Sequence, residues 1–194
     1  MMTQLKIHPT TIFPMGLILM LLILVACSED SVDPGPPANE EEEITTITVT
    51  LGDSANPATS VTGQWRDLDG DGGNAPEITG LTLQAGRTYL GRIELRNEND
   101  GEDITTEIAA EDEAHQFFYS IDGGLSPGTT IIITDRDANN LPVGLRFTLR
   151  VSTAASGQSG NLNILLYHYD QVVKDGTSPS NETDVDVLIP MLVN

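Results

Sequence analysis

The chain has 194 residues, among them 9 basic and 29 acidic ones, and its formal net charge is −20 at pH 7. A field of that sign repels nucleic acids and anionic headgroups, so it excludes nucleic-acid binding and favours cations or basic partners. The single cysteine excludes a disulfide framework.

The first 26 residues have the pattern of a secretory signal peptide. Lys6 is their one full charge, and an apolar run from Met15 to Ala26 ends in small residues. This run is shorter than the roughly 20 residues that a membrane-spanning helix needs. We therefore expect residues 1–26 to be removed on export, with an uncleaved membrane anchor as the alternative.

The residues Leu24-Val25-Ala26-Cys27 resemble the lipobox of bacterial lipoproteins. In such proteins the chain is cut before the cysteine, which is then acylated. The resemblance implies that Cys27 is lipidated and that the mature chain is anchored to a membrane, with the outer membrane of a Gram-negative bacterium as the expected location. Stable anchoring takes at least two acyl chains, which mature lipoproteins of this kind carry.

A proline-rich acidic spacer follows the cysteine. Residues 28–43 read SEDSVDPGPPANEEEE, with seven acids, no base and one large apolar residue. Such a segment cannot bury enough apolar surface to offset its ordering entropy. We therefore predict that residues 27–43 form a lipidated, disordered acidic tether.

The remaining residues 44–194 suffice for one domain with a single core. Apolar residues alternate with polar ones through most of this span, which indicates half-buried strands separated by Gly, Pro, Asp and Ser turns. We predict an all-β domain, an immunoglobulin-like or Greek-key sandwich of about 8–9 strands. The predicted strands are 47–51, 61–66, 77–84, 89–96, 116–121, 129–134, 145–151, 162–169 and 184–193.

One short helix is expected between strands, from Ile104 to about His115, with Asp103 as its N-cap. Pro190 falls inside the last predicted strand, where it removes a hydrogen-bond donor. It therefore predicts an edge or a bulge at that point.

The strongest binding motif is an acidic loop that begins at Asp67. Asp67, Asp69 and Asp71 alternate, and Gly72 holds the sixth place, as in the first half of a calcium-binding loop. The twelfth place carries no acid, and Glu77 comes one residue early. The sequence predicts a structural calcium site on these four acids, with a solvated Asx-rich turn as the alternative.

A second acidic loop repeats the spacing at Asp135, Asp137 and Asn139. It lacks the glycine and contains Arg136. A turn is the favoured interpretation here, and an ion site, even one shared with the first loop, is the alternative.

Three residues on the predicted helix, Glu107, Glu111 and His115, are spaced by four and would share one face. Together with His168 they could hold zinc, another transition metal or haem. The favoured alternative is a solvated acidic face, because the sequence does not show that the two histidines meet.

The lipobox, the acidic spacer, the Asp67 loop and the segment Glu113-Ala114-His115-Gln116-Phe117-Phe118 together resemble a family of small bacterial outer-membrane lipoproteins. Some members carry the label of type 1 periplasmic-binding-fold proteins. That label implies two α/β domains, whereas the strand pattern here predicts an all-β domain. The resemblance implies no catalytic residue.

These features favour a lipid-anchored extracytoplasmic lipoprotein that binds a protein or small ligand without catalysis and is stabilised by calcium. The alternative is a metal- or haem-handling accessory lipoprotein of an outer-membrane transporter. A hydrolase with a carboxylate pair is a third hypothesis, although no nucleophile motif or phosphate loop is present.

Overall fold

A computed structural model describes residues 42–194; the predicted signal peptide, Cys27 and the spacer up to residue 41 lie outside these residues. The described part contains ten strands, one α-helix and two short 3₁₀ helices. The strands are β1 Thr46–Asp53, β2 Asn56–Arg66, β3 Glu77–Thr79, β4 Leu81–Leu83, β5 Thr88–Arg96, β6 His115–Ile121, β7 Thr129–Ile133, β8 Arg146–Val151, β9 Ser159–His168 and β10 Glu182–Val193. The helix α1 is Ile104–Ala110, and the 3₁₀ helices are Gly123–Gly128 and Thr153–Ala155.

The strands form two sheets. One has six strands in the order β3-β2-β1-β5-β8-β7, and the other has four in the order β4-β10-β9-β6. Neighbouring strands are antiparallel except for β4 and β10, which are parallel. The domain is an all-β sandwich, and the predicted fold class is confirmed.

The core lies between the sheets and follows the predicted alternation. In β1 the side chains of Ile47, Val49 and Leu51 are at most 1% exposed, and alternate residues of β9 are buried in the same way. Burying each such side chain contributes roughly 1.5–3 kcal/mol. The alternation of apolar and polar residues in the sequence therefore correctly predicts which side chains of β1 and β9 face the core.

The segment predicted as a single strand over 77–84 forms two strands in different sheets. The division falls at Gly80, where an added Cβ would lie 2.9 Å from the carbonyl oxygen of Pro190. The chain passes this close only because glycine has no side chain. Nine predicted segments therefore become ten strands.

The predicted helix over 104–115 is wrong in its length. The helix ends at Ala110, and His115 already belongs to β6, where it pairs with β9. Strand pairing in the four-stranded sheet outweighs the helical spacing of the acids. Asp103 does hold the N-cap position, but its side chain makes no capping hydrogen bond.

Pro190 lies where β10 is locally an edge. The amide of Asn194 donates to Leu83 of β4, so by alternation the nitrogen of Pro190 faces the same side. There β4 has not yet begun, since its pairing with β10 starts at Met191. The irregularity in the β9–β10 pairing lies elsewhere, between Thr183 and Val185.

Among residues 42–194, no helix has the length and apolar character needed to cross a membrane.

Candidate metal centre

Two histidines meet at one end of the four-stranded sheet. His115 begins β6 and His168 ends β9, and the antiparallel register places them directly opposite each other. Their rings stack with centroids 4.5 Å apart and planes inclined by 21°. His168 continues the alternating series of β9 whose buried members are Leu162, Ile164 and Leu166. The histidine pair therefore lies at the end of the core-facing side of this sheet.

His115 is fully buried, at 0% exposure. Its Nδ1 lies 3.1 Å from the backbone carbonyl oxygen of Glu111. A carbonyl oxygen only accepts, so Nδ1 carries the proton and donates it, which leaves Nε2 as a bare lone pair. That Nε2 is buried and has no hydrogen-bond partner among the described residues.

The imidazole of His115 is neutral at physiological pH. Burial is the largest cause that lowers the pKa of His115 to about 4. Nearby His168 and Lys174 lower this pKa further, while the hydrogen bond to Glu111 opposes them. A neutral imidazole is the form that binds a metal.

Glu111 completes a group of three possible ligands. One ligand atom from each of Glu111, His115 and His168 lies within 4.8 Å of the other two. This is the only group of three or more such side chains in the part of the chain that the structure describes. Two imidazoles and a carboxylate suit zinc and other borderline divalent transition metals.

Glu107, Glu111 and His115 do not share one face of a helix as predicted, because α1 ends at Ala110 and His115 belongs to β6. Glu111 caps the end of α1, and His115 reaches it from β6 through the bond to the Glu111 carbonyl. Glu107 is not part of the group. Its charge acts on Glu42 instead.

Glu42 is half-buried, although the composition of the spacer predicts tether up to residue 43. Burial raises the pKa of Glu42 to about 7, and the charges of Glu107 and Glu111 are the next causes. The charge of Asp184 adds to the effect. The composition of the spacer gives no signal for this burial.

The carboxylates of the second acidic loop are taken up by hydrogen bonds. Asp137 accepts from the amides of Asn139 and Leu141 at 2.9 and 2.8 Å and from Lys174 Nζ at 2.9 Å. Asp135 accepts from the amides of Gly144 and Arg146 at 3.0 and 3.1 Å. This geometry is that of the favoured turn.

Lys174 forms a buried ion pair with Asp137, with side chains 2% and 0% exposed. Its Nζ also donates to the carbonyl oxygen of Asp112 at 2.7 Å. Burial would raise the pKa of Asp137, but the hydrogen bond from Lys174 and those from the loop amides lower it overall. The ion pair holds Lys174, in the loop after β9, where its charge acts on His115.

The Asp67 loop is folded on itself. Asp67 accepts a hydrogen bond from the amide of Gly70 at 3.0 Å. Asp69 accepts two from Asn74, from the amide at 3.0 Å and from Nδ2 at 2.6 Å. These bonds hold the pKa of Asp69 below its usual range.

The fourth predicted calcium ligand lies on β3. Glu77 is 3.6 Å from the guanidinium of Arg66, and its side chain is 82% exposed. Asp67, Asp69 and Asp71 line an open cavity of about 270 Å³ together with Trp65. Calcium binding at this loop stays a prediction, and an ion there would compete with Asn74 for Asp69.

Comparison of the chain with protein-family models, curated proteins and solved structures gives no match.

Proposed function

We propose that this protein is a lipid-anchored extracytoplasmic lipoprotein that binds a divalent transition metal without catalysing a reaction. One observation carries the proposal: Glu111, His115 and His168 offer ligand atoms within 4.8 Å of one another. Zinc is the ion we choose to test it.

The state of His115 supports a ligand there. A buried polar atom without a partner costs roughly 1–3 kcal/mol, so such atoms are rare and usually have a reason. The bare Nε2 of His115 is an acceptor that a metal ion would satisfy. The half-buried His168 and the exposed Glu111 leave a path from solvent.

The test is calorimetric titration of the metal-free mature protein with zinc chloride. We expect one equivalent to bind. Losing an outer-shell partner costs 10–100-fold in metal affinity, so His168→Gln, which removes a ligand, should cost more than about 100-fold. The matched control Glu113→Gln changes a nearby exposed glutamate outside the group and should bind like the wild type. Equal affinity in His168→Gln would overturn the proposal.

The anchor and location rest on the sequence. The lipobox at Cys27 supports lipidation, and the acidic spacer supports a place at the outer membrane within the lipoprotein family that the chain resembles. In that setting the metal site would serve an outer-membrane transporter as an accessory. Mass spectrometry should find Cys27 as the acylated N-terminal residue, and Cys27→Ser should release the protein from membranes.

A protein partner is a second candidate, favoured by the loop between β9 and β10. Val173 is 93% exposed and Val172 is 46% exposed. The buried ion pair of Lys174 holds this apolar tip in place. A pull-down from native membranes with the wild type should retain a partner protein. The variant Val173→Asp should lose this partner, whereas the control Ile78→Asp, at another exposed apolar residue, should still retain it. Identical retention by both variants would remove this candidate.

A further inference from the structure

The outer face of the six-stranded sheet carries most of the basic residues of the domain. The described part of the chain has eight lysines and arginines, which are the nine of the full sequence less Lys6. Arg92 and Arg146 are exposed and alternate with the buried Ile93 and Phe147. The net negative charge of the chain therefore hides a basic surface, the arginine face. Its five arginines, placed there by the strand registers, are Arg66, Arg92, Arg96, Arg146 and Arg150.

The glutamates on this face are already engaged. Arg66 donates to Glu98 at 2.8 Å and lies 3.6 Å from Glu77. Arg92 donates to Glu94 at 3.0 Å. The other three arginines retain an unbalanced positive charge. Among residues 42–194, no acid forms an ion pair with Arg96, Arg146 or Arg150.

Two of the arginines stand directly opposite each other. The register of β5 and β8 pairs Arg92 with Arg146. Like charges at directly opposite positions of a sheet destabilise it. Arg150 lies four residues further along β8, about 13 Å away at the usual rise of a strand. The arginines are therefore spread over a sheet face instead of converging on one point, which suits an array of anions better than a single small anion.

Exposed aliphatic side chains lie between the arginines. Leu90 on β5 and Ile132 on β7 are both exposed, and both pair with Thr148 of β8. Thr148 separates Arg146 from Arg150 along the strand. Basic and large apolar side chains together on one surface are typical of protein segments that bind at the headgroup level of a membrane. The planar guanidinium group also matches a phosphate group with two parallel hydrogen bonds.

We propose that the arginine face docks on the phosphate groups of anionic phospholipids. The net charge of the chain predicts repulsion from such headgroups, but salt screens charges that lie beyond about 8 Å, so the local charge of the face decides at contact. Cys27 and Glu42 are fifteen residues apart, and a chain of that length spans at most about 50 Å. The proposed anchor therefore keeps the face at a high effective concentration beside the membrane. The inference rests on that anchor only for this closeness, and a protein without the anchor tests the face separately.

The experiment measures by flotation how the mature protein with Cys27→Ser binds to vesicles. The vesicles contain phosphatidylcholine alone or equal parts of phosphatidylcholine and phosphatidylglycerol. We expect binding to the anionic vesicles, and the double variant Arg146→Gln/Arg150→Gln should weaken it about 25-fold, because each arginine near such a surface contributes about fivefold. The matched control Thr82→Glu/Thr183→Glu lowers the net charge by the same amount at exposed positions of the four-stranded sheet. It should bind within about twofold of the wild type, because these charges lie on the opposite sheet.

The outcomes separate the face from the anchor and from the metal site. An equal loss in the two double variants would show that net charge alone governs binding, and would overturn the role of the arginine face. Equal binding to neutral and anionic vesicles, or no binding to either, would also overturn it. Capture of an acidic protein from native membranes that depends on the arginines, without vesicle binding, would replace the lipid by a protein partner. None of these results changes the expected zinc affinity or the expected acylation of Cys27.

Two further measurements check that the substitutions preserve the fold. Arg146→Gln removes the repulsion from Arg92, so the melting temperature of the double glutamine variant should not fall. Arg146→Lys/Arg150→Lys keeps both charges and should retain most of the vesicle binding. A loss of vesicle binding in the lysine variant as large as in the glutamine variant would contradict an electrostatic role.

Discussion

The Asp67 loop and the histidine group differ in how their polar atoms are satisfied. In the loop, Asp69 already accepts two hydrogen bonds from Asn74. In the group, His115 holds a buried Nε2 that makes no hydrogen bond to any described residue. In sequence, the Asp67 loop is the clearer metal-binding motif. In the structure, only the histidine group combines three possible ligands with a buried acceptor that lacks a hydrogen bond among the described residues.

The comparison teaches that spacing alone does not identify a metal site. Alternating acids suit both a calcium loop and an Asx-rich turn, in which the amides of the loop act as the partners. A buried acceptor without a donor points more directly to a ligand. Substitutions at satisfied and unsatisfied groups should therefore have different effects on stability and on ion binding.

The largest expected effect concerns the buried carboxylate that already has its partner. Lys174→Met leaves Asp137 buried without its counter-ion, which should cost about 3–5 kcal/mol in the free energy of unfolding. Urea denaturation measures this cost. Arg92→Met removes the exposed pair with Glu94 and should cost less than about 1 kcal/mol. An equal loss of unfolding free energy in the two variants would contradict the claim that the buried Lys174–Asp137 pair matters more to stability than the exposed Arg92–Glu94 pair.

Zinc should stabilise the protein through the histidine group. At a free concentration one hundred times the dissociation constant, zinc adds about 2.7 kcal/mol to the free energy of unfolding. Thermal melting measures the gain, which His168→Gln should lose. A gain that survives in His168→Gln would place the bound zinc elsewhere.

Calcium should act more weakly through the Asp67 loop. Extracellular calcium modules have dissociation constants of about 0.1–1 mM, so 1 mM calcium should add about 0.4–1.4 kcal/mol. Asp69→Ala should abolish the resulting rise in melting temperature. If the rise persists in that variant, the calcium binds outside the predicted loop.

The smallest effect concerns Asp175, whose carboxylate accepts hydrogen bonds from the amides of Thr177 and Ser178. The amides of Ser178 and Thr177 lower the pKa of Asp175 to about 2. Its contribution to stability is therefore complete above the ordinary pKa near 3.8 and is lost as the pH falls from there towards 2. Asp175→Asn should flatten the acid melting curve of the wild type slightly in that window. Identical curves would contradict the role of this turn.

Most of the fold was predictable because alternation in sequence reports the face of a strand directly. The nine predicted segments all contain strands, and the one that divides does so at Gly80, where contact with Pro190 decides the path. The predicted helix is too long because the pairing of His115 with His168 depends on a distant strand. Local spacing contains no information on that pairing.

The site was predictable only in part. The sequence names Glu111, His115 and His168 as candidates, but their meeting depends on strand register. Composition assigns Glu42 to the tether, and Lys174 gives no sign of burial, since lysine is ordinarily exposed. Lys174 is placed by its ion pair with the distant Asp137, and Glu42 is half-buried in the folded domain.

The most direct test is an anomalous diffraction map, recorded at the zinc absorption edge, from crystals of the zinc-loaded mature protein. The account predicts one strong peak within about 2.0–2.2 Å of ligand atoms from Glu111, His115 and His168. A peak confined to the Asp67 loop, or no peak at the histidines, would contradict it.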